Sequence, residues 1–207
     1  MTAYCLNIPY DDYDQPGVHP RSEAIRKWVK GGLPHAVSGD ESGCVLKTHK
    51  RMIDPGEHKV LYVVRDPRDV MVSLYFHLLR NGEVPYNYCL KDLVIERIDS
   101  WAVHIESWVS SADGILRYED VLGDPVKSLG SAFSTMGFSV APEVIVDASE
   151  VFRFEAMAKR KRGEEDVRSF FRKGVAGDWK NHFDHELAVY CNDAVGYWLE
   201  ELSYDKQ

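Results

Sequence analysis

The sequence predicts an α/β fold, an open and mostly parallel sheet flanked by helices. Short β-rich runs at Cys44–His49, Lys59–Val64 and Gly114–Tyr118 alternate with stretches of helical periodicity. The run KVLYVV at Lys59–Val64 is continuously apolar, as expected of a strand buried on both faces of a parallel sheet. Ligands of such sheets bind beyond the carboxyl ends of the strands, so those ends are where chemistry is expected.

The elements follow in order. Residues 1–20, with Pro9, Pro16, Gly17 and Pro20 among tyrosines and aspartates, show no period and read as irregular. Ser22 can cap a short helix whose apolar face is Ile25, Trp28 and Val29, stopped by Gly31-Gly32. After the strand at Lys59–Val64, Pro67 opens a helix through about Leu79, with Asn81-Gly82 as its stop. Leu90–Val109 carries Leu93, Val94, Ile98, Trp101, Ile105 and Trp108 near 3.6 spacing. Asp124 and Pro125 cap and start a helix to Met136, closed by Gly137. A loop-rich stretch from Phe152 to Gly177 precedes a last helix from Asp184 to about Leu202.

Composition narrows the function. The chain has 207 residues, enough for one domain over 1–207 with a core that needs no staple. With 25 Lys+Arg against 33 Asp+Glu the net charge is −8, which disfavours duplex DNA and anionic lipid as partners; any bound anion needs a local basic pocket. Cys5, Cys44, Cys89 and Cys191 lack metal-ligand or redox spacing and fit reduced thiols, hence a cytoplasmic address, and no metal is expected. No apolar run approaches a membrane span, and the acidic N-terminus does not resemble a signal or transit peptide.

Three constellations can carry chemistry. Arg65 ends a strand and is followed by Asp66-Pro67-Arg68-Asp69 and, two helical turns on, Ser73; a guanidinium, unpaired helix amides and a hydroxyl can converge on a phosphate. The same spacing fits a surface ion pair of Arg65 with Asp66 or Asp69, with Ser73 as helix filler. In Lys47-Thr48-His49, strand alternation puts an ammonium beside an imidazole. That pair can neutralise a group in transfer and take a proton from a hydroxyl, though a histidine at a strand end is also a common structural element. Phe170-Phe171-Arg172-Lys173-Gly174 sets two cations beside a glycine that allows close backbone approach to a phosphate. Residues 153–180 hold nine Lys/Arg against five Asp/Glu, a basic segment in an acidic chain; its Lys159–Arg162 run reads as a solvated loop.

Together these pieces resemble the cytosolic-type sulfotransferases, which use 3'-phosphoadenosine 5'-phosphosulfate (PAPS) as sulfuryl donor and yield adenosine 3',5'-bisphosphate (PAP). The resemblance covers residues 43–205, with 1–42 divergent. It rests on KTH at Lys47–His49, VLYVVRDPRDVMVSLYFH at Val60–His77, GEVPY at Gly82–Tyr86 and H-I-x-x-W at His104–Trp108. It continues through RYEDVLGDP at Arg117–Pro125, FEAM at Phe154–Met157 and FFRKGVAGDWKNHF at Phe170–Phe183.

The resemblance implies a P-loop NTPase-like sulfotransferase fold and a role for each match. Arg65, Ser73, Arg172, Lys173 and the Gly174 amide would hold the donor's 3'-phosphate. Tyr118 would reach the adenine and Phe154 would stack on it. His49 would be the base that deprotonates a hydroxyl or amine of a small-molecule acceptor, and Lys47 would stabilise the sulfuryl group in flight. The family's N-terminal strand and phosphosulfate loop, of the form Y-P-[KR]-[SA]-G-[TN]-T-W, has no counterpart; His19–Glu23 lacks its glycine and Thr-Trp. Residues 1–42 are therefore expected to follow that loop, with a substitute strand from residues 1–10 or from a partner. Weak or absent transfer on a retained nucleotide half-site is the alternative function. A P-loop kinase would need a Gly-Lys-Ser/Thr loop that the chain does not contain. In some animal members a Lys-x-x-x-Thr-Val segment pairs subunits, but here Lys180 is followed by Asp184-His185, so the resemblance sets no oligomeric state. The acceptor is equally unspecified: Tyr86, Tyr88 and Trp101 could line its pocket or belong to the core.

Overall fold

The computed structural model describes residues 10–12, 45–47 and 59–206. Among the described residues, four strands pair in two parallel ladders. β1 (Tyr10–Asp12) runs beside β2 (Val45–Lys47), with Tyr10 opposite Val45 and Asp12 opposite Lys47. β3 (Leu61–Val64) runs beside β4 (Gly114–Arg117), with Leu61 opposite Gly114 and Val64 opposite Arg117.

Between and after β3 and β4 come α1 (Pro67–Asn81), α2 (Leu90–Val109), α3 (Tyr118–Gly123), α4 (Pro125–Thr135), α5 (Pro142–Phe152), α6 (Phe154–Ala158) and α7 (His185–Glu201). A 3₁₀ turn at Asp178–Asn181 precedes α7.

Strand alternation divides the core. Tyr62 and Val64 face Met71 of α1, Ile98 and Ile105 of α2, and Cys191 and Leu199 of α7. Leu61 and Leu116 face Leu129 and Phe133 of α4 and Ile145 of α5. Helices therefore cover both sides of the β3–β4 ladder, which is the α/β sandwich the sequence implies. A smaller cluster of Val72, Trp179 and Ala188 ties α1 to the 3₁₀ turn and α7.

Local chemistry sets the boundaries that matter for the site. Asp66 caps α1, accepting from the Arg68 amide at 2.9 Å, and Pro67 occupies its first turn. Gly82, at φ 70°, closes it in the left-handed conformation, and the Gly82 and Glu83 amides return to the carbonyls of Leu79 and Leu78. Asp124 caps α4 through the Lys127 amide at 3.0 Å, and Asp184 caps α7 through the Leu187 amide at 2.8 Å. The Asp184 position that departs from the subunit-pairing segment is thus a helix cap.

Several expectations are corrected. KVLYVV is not buried on both faces: Val63 is 57% exposed, and the exposed Ile115 lies on the other face of β4. The Gly114–Tyr118 strand ends at Arg117, because Tyr118 opens α3. A strand stands at Tyr10–Asp12 where irregular chain was expected; its polar YDD has no alternation to betray it. The loop expected from Phe152 contains α6, and the unassigned stretch after Gly137 contains α5. The helix expected after Ser22 lies outside the described residues.

Truncating the core should separate packing from capping. Ile98→Ala, at a fully buried position between sheet and α2, is expected to cost about 2–5 kcal/mol, whereas Asp124→Ala, at an exposed cap, should cost about 1 kcal/mol. Urea midpoints of the two variants against the parent check this ordering.

Candidate functional site

The turn from β3 into α1 places Arg65 at the strand's carboxyl end. Its guanidinium donates from Nη2 to the Val175 carbonyl at 3.2 Å, lies 3.6 Å from Asp69 Oδ2, and sits 4.6 Å from the centroid of the Tyr118 ring. Its Nε–H is buried with no acceptor among the described residues. Val175 immediately follows Arg172-Lys173-Gly174, so Arg65 touches the same segment that carries the other two expected cations.

Asp69 explains why that segment is there. Its carboxylate is fully buried and accepts from the Gly177 amide at 2.7 Å and the Trp179 amide at 2.9 Å. Arg65 supplies the compensating charge. Arg68 braces the same turn: it chelates Asp66 through Nε at 3.0 Å and Nη2 at 2.8 Å, stacks 3.9 Å from the Trp179 ring centroid, and donates to the Asp205 carbonyl at 2.9 Å.

Arg172 donates from Nη1 to Glu165 and from Nη2 to Asp178, with its guanidinium carbon 4.4 Å from the centroid of the Phe76 ring. Lys173 Nζ is 2.5 Å from Asp178 Oδ1, and Asn181 Nδ2 donates to the same oxygen at 2.9 Å. His182 Nε2 lies 3.2 Å from Asp178 Oδ2. Burial pushes the Asp178 carboxyl up, but hydrogen bonds from Lys173, Arg172 and Asn181 outweigh it and hold the group well below the usual carboxylate range. Ligand atoms of Glu165, Asp178 and His182 lie within 4.8 Å of one another, yet the Arg172 guanidinium and Lys173 ammonium already supply the cations this cluster calls for.

Ser73 is exposed on α1. Positions 69, 73 and 76 share one helical face, and the first and last of these touch the loop: Asp69 through Gly177 and Trp179, Phe76 through Arg172. Ser73 therefore stands between the Arg65 side and the Arg172 side.

Gly174, at φ 70°, lies so close to the buried Phe154 ring that a Cβ would overlap its Cγ, Cδ2 and Cε2 atoms. Arg160 lies 5.2 Å from the centroid of the same ring, donating to the carbonyls of Glu164 (2.9 Å), Phe171 and Arg172 (2.8 Å). The expectation of a solvated Lys159–Arg162 loop fails at Arg160, whose guanidinium is spent on the carbonyls of Glu164, Phe171 and Arg172.

The structure thus links Arg65 to Tyr118 and to Val175 at the end of the Arg172–Gly174 segment, with Arg172 against Phe76 of α1 and Gly174 against Phe154. Lys47 ends β2, while His49 lies outside the described residues. A polar cleft of about 160 Å³, lined in part by Arg68, Arg117, Trp179, Lys180 and Tyr204, contains none of the expected site residues. Trp101 packs against the main core, Tyr86 is 95% exposed, and the Tyr88 hydroxyl donates to Glu96 at 2.8 Å.

The family model described as "Sulfotransferase domain" matches residues 37–203. The chain belongs to the sulfotransferase domain family.

Mouse sulfotransferase 2A6 is 32% identical over 146 residues, covering 60% of this chain and 50% of that protein. Bovine sulfotransferase 1A1 is 26% identical over 206 residues, covering 86% and 65%. The chain spans about half to two thirds of the length of the curated relatives it matches. Among solved structures, retinol dehydratase in complex with retinol and PAP superimposes with a TM-score of 0.55 and 26% identity, covering 68% of this chain and 47% of that one. Mouse SULT7A1 complexed with PAP shares the fold, with a TM-score of 0.56, 24% identity, and coverage of 69% and 58%. No described helix of this sulfotransferase domain is long and apolar enough to cross a membrane.

Sequence reasoning offered the Arg65–Asp69 ion pair, as a surface pair, and missed that Asp69 is buried and receives two amides from the distant loop. It missed Asp178, Glu165 and Arg160 as organisers of the site; Glu165 and Arg160 had no signal, because their partners are set by how residues 159–173 fold back on themselves.

Asp178 gives the site an acid sensitivity. Its lowered native pKa means that the ionised form contributes stability fully present above about pH 4 and lost as pH falls through the native value. Asp178→Asn should be about 2–4 kcal/mol less stable at pH 7, since it removes the buried carboxylate shared by Lys173 and Arg172 and leaves Arg172 with Glu165 alone. It should also lose less than the parent between about pH 5 and pH 2.5, as read from urea midpoints at each pH.

Proposed function

We propose that this domain binds PAPS and transfers its sulfuryl group to a hydroxyl or amine of a small-molecule acceptor. The observation that carries the reading is the contact of Arg65 with the segment bearing Arg172, Lys173 and Gly174 across the face of α1 that holds Ser73. Such a ring of donors suits a phosphate monoester, a compact dianion that accepts several charge-assisted hydrogen bonds at once. The buried and acceptorless Arg65 Nε–H fits one more anionic oxygen. The relatives crystallised with PAP support the same donor.

In this reading Arg65, Ser73, Arg172, Lys173 and the Gly174 amide hold the 3'-phosphate. Tyr118 and Phe154 address the adenine, with Gly174 glycine so that Phe154 can close on it. Bound PAPS supplies an activated sulfuryl group. His49 takes the acceptor's proton as the acceptor's oxygen or nitrogen bonds to sulfur and the sulfur's bond to PAP breaks, PAP leaving as the product, and Lys47 stabilises the sulfuryl group in flight. In-line transfer of this kind needs positioning and charge stabilisation rather than a covalent enzyme intermediate. The proposal keeps the single domain of 1–207 and the cytoplasmic address implied by the scattered cysteines. Its acceptor is a small alcohol or amine, a class that includes the retinol bound by the dehydratase relative.

Calorimetric titration with PAP and transfer of labelled sulfate from PAPS test the two halves separately. Arg65→Ala should weaken PAP binding roughly ten- to a hundredfold, the worth of a lost charge-assisted hydrogen bond. His49→Ala should abolish transfer while PAP affinity stays within about twofold. Equal loss of binding in both variants would overturn the division of roles, and PAP binding without transfer to any alcohol or amine would favour the nucleotide-binding half-site over the enzyme.

Gly174→Ala should fail differently, because it adds both a strained φ and an overlap with Phe154. PAP affinity and melting temperature are expected to fall together, read by calorimetry and thermal unfolding.

A further inference from the structure

We propose that Glu165 sets the donor affinity of this site by competing with the 3'-phosphate for Arg172. The inference rests on the reading of Arg172 as a phosphate ligand given above.

Both terminal nitrogens of Arg172 are engaged in this structure, one by Glu165 and the other by Asp178, and its flat face rests on Phe76. A phosphate oxygen that takes either terminal nitrogen must replace its carboxylate or share the nitrogen with it.

The two carboxylates are not equally replaceable. Asp178 is 1% exposed and is held at once by Arg172, Lys173, Asn181 and the His182 ring, so releasing it would strand a buried charge. The Glu165 carboxylate is 35% exposed and Arg172 is its ion-pair partner. Freed, it is hydrated where it stands. The anion that yields is Glu165.

Its position opposite Arg172 is set by backbone. The Gly163 amide donates to the Lys173 carbonyl at 2.9 Å and the Asp166 amide to the Arg172 carbonyl at 2.9 Å, so the acidic turn is laid against the cationic segment on both sides of Glu165. Arg160 fastens the same fold by holding the carbonyls of Glu164 and Arg172. A carboxylate fixed beside a phosphate ligand acts as a tethered inhibitor: each bound donor must first displace it.

A merely structural Glu165 and a competing one predict opposite signs. Full-length Glu165→Gln, which keeps shape and removes charge, is expected to bind PAP roughly two- to fivefold more tightly at low salt, the range of a partly exposed ion pair. The gain should shrink as added salt screens the pair, and Glu165→Asp should stay near the parent. In an Arg172→Ala background the same change should bring no gain.

PAP titration by calorimetry, with melting temperatures to confirm folding, reads all four. Unchanged or weaker PAP binding by Glu165→Gln, while the parent binds PAP and Arg65→Ala binds it more weakly, would overturn the inference and leave the donor reading intact. Absence of PAP binding in parent and variant alike would overturn both.

Discussion

The site depends on one buried carboxylate. Asp69 lies on the first turn of α1, has no access to water, and receives two backbone amides, those of Gly177 and Trp179, from a loop more than a hundred residues away. Hydrogen bonds to a charged group contribute about 1.5–3 kcal/mol each, so this one side chain is enough to fix where residues 172–179 cross the helix. A buried anion needs a cation, and Arg65 is the one at hand, 3.6 Å away. The same arginine then reaches Val175, so charge compensation inside the protein is also what draws Arg65 to the Arg172–Gly174 segment.

The charge pattern extends outward by the same rule. A chain of net charge −8 brings four cations together at the start of α1 and on the loop that crosses it, and gives these four a carboxylate: Asp69 for Arg65, Asp66 for Arg68, Asp178 for Lys173, Asp178 and Glu165 for Arg172. Unpaired, these cations would repel one another and destabilise the loop; paired, they are preorganised but already engaged. An arriving anion therefore gains the difference between two ion pairs rather than the whole of one. Affinity is tuned by which carboxylates can leave, and burial decides that: Asp69 and Asp178 are sealed in, whereas Glu165 faces water.

How much of this the sequence disclosed depended on the range of the interaction. Local rules were legible: Asp66-Pro67 and Gly82 bound α1, Asp124-Pro125 starts α4, and the apolar spacing from Leu93 to Ile105 marks α2. Where a boundary has no local chemistry it was not legible. α5 begins at Ala141-Pro142 with no side-chain cap, and the three residues of β1 are too few to alternate. The set Arg65, Tyr118, Phe154, Arg172, Lys173 and Gly174 was implied by the family resemblance that the order and spacing of motifs carry. What holds these residues was not legible, since Asp69, Arg160 and Glu165 act across folded-back chain, and the basic run at Lys159–Arg162 gives no sign that Arg160 turns inward to hold carbonyls.

α1 acts as the ruler for these distances. A helix repeats every 3.6 residues, so positions 69, 73 and 76 stand in a line about a turn apart, and the loop touches the first and the third. The hydroxyl between them is left uncovered, on a rigid element, with an arginine contact at either end. Loops can change length or sequence without moving that spacing, because it belongs to the helix backbone and not to the loops. The spacing between the Arg65 and Arg172 contacts thus follows from the pitch of an α-helix once Asp69 has set where the loop lands.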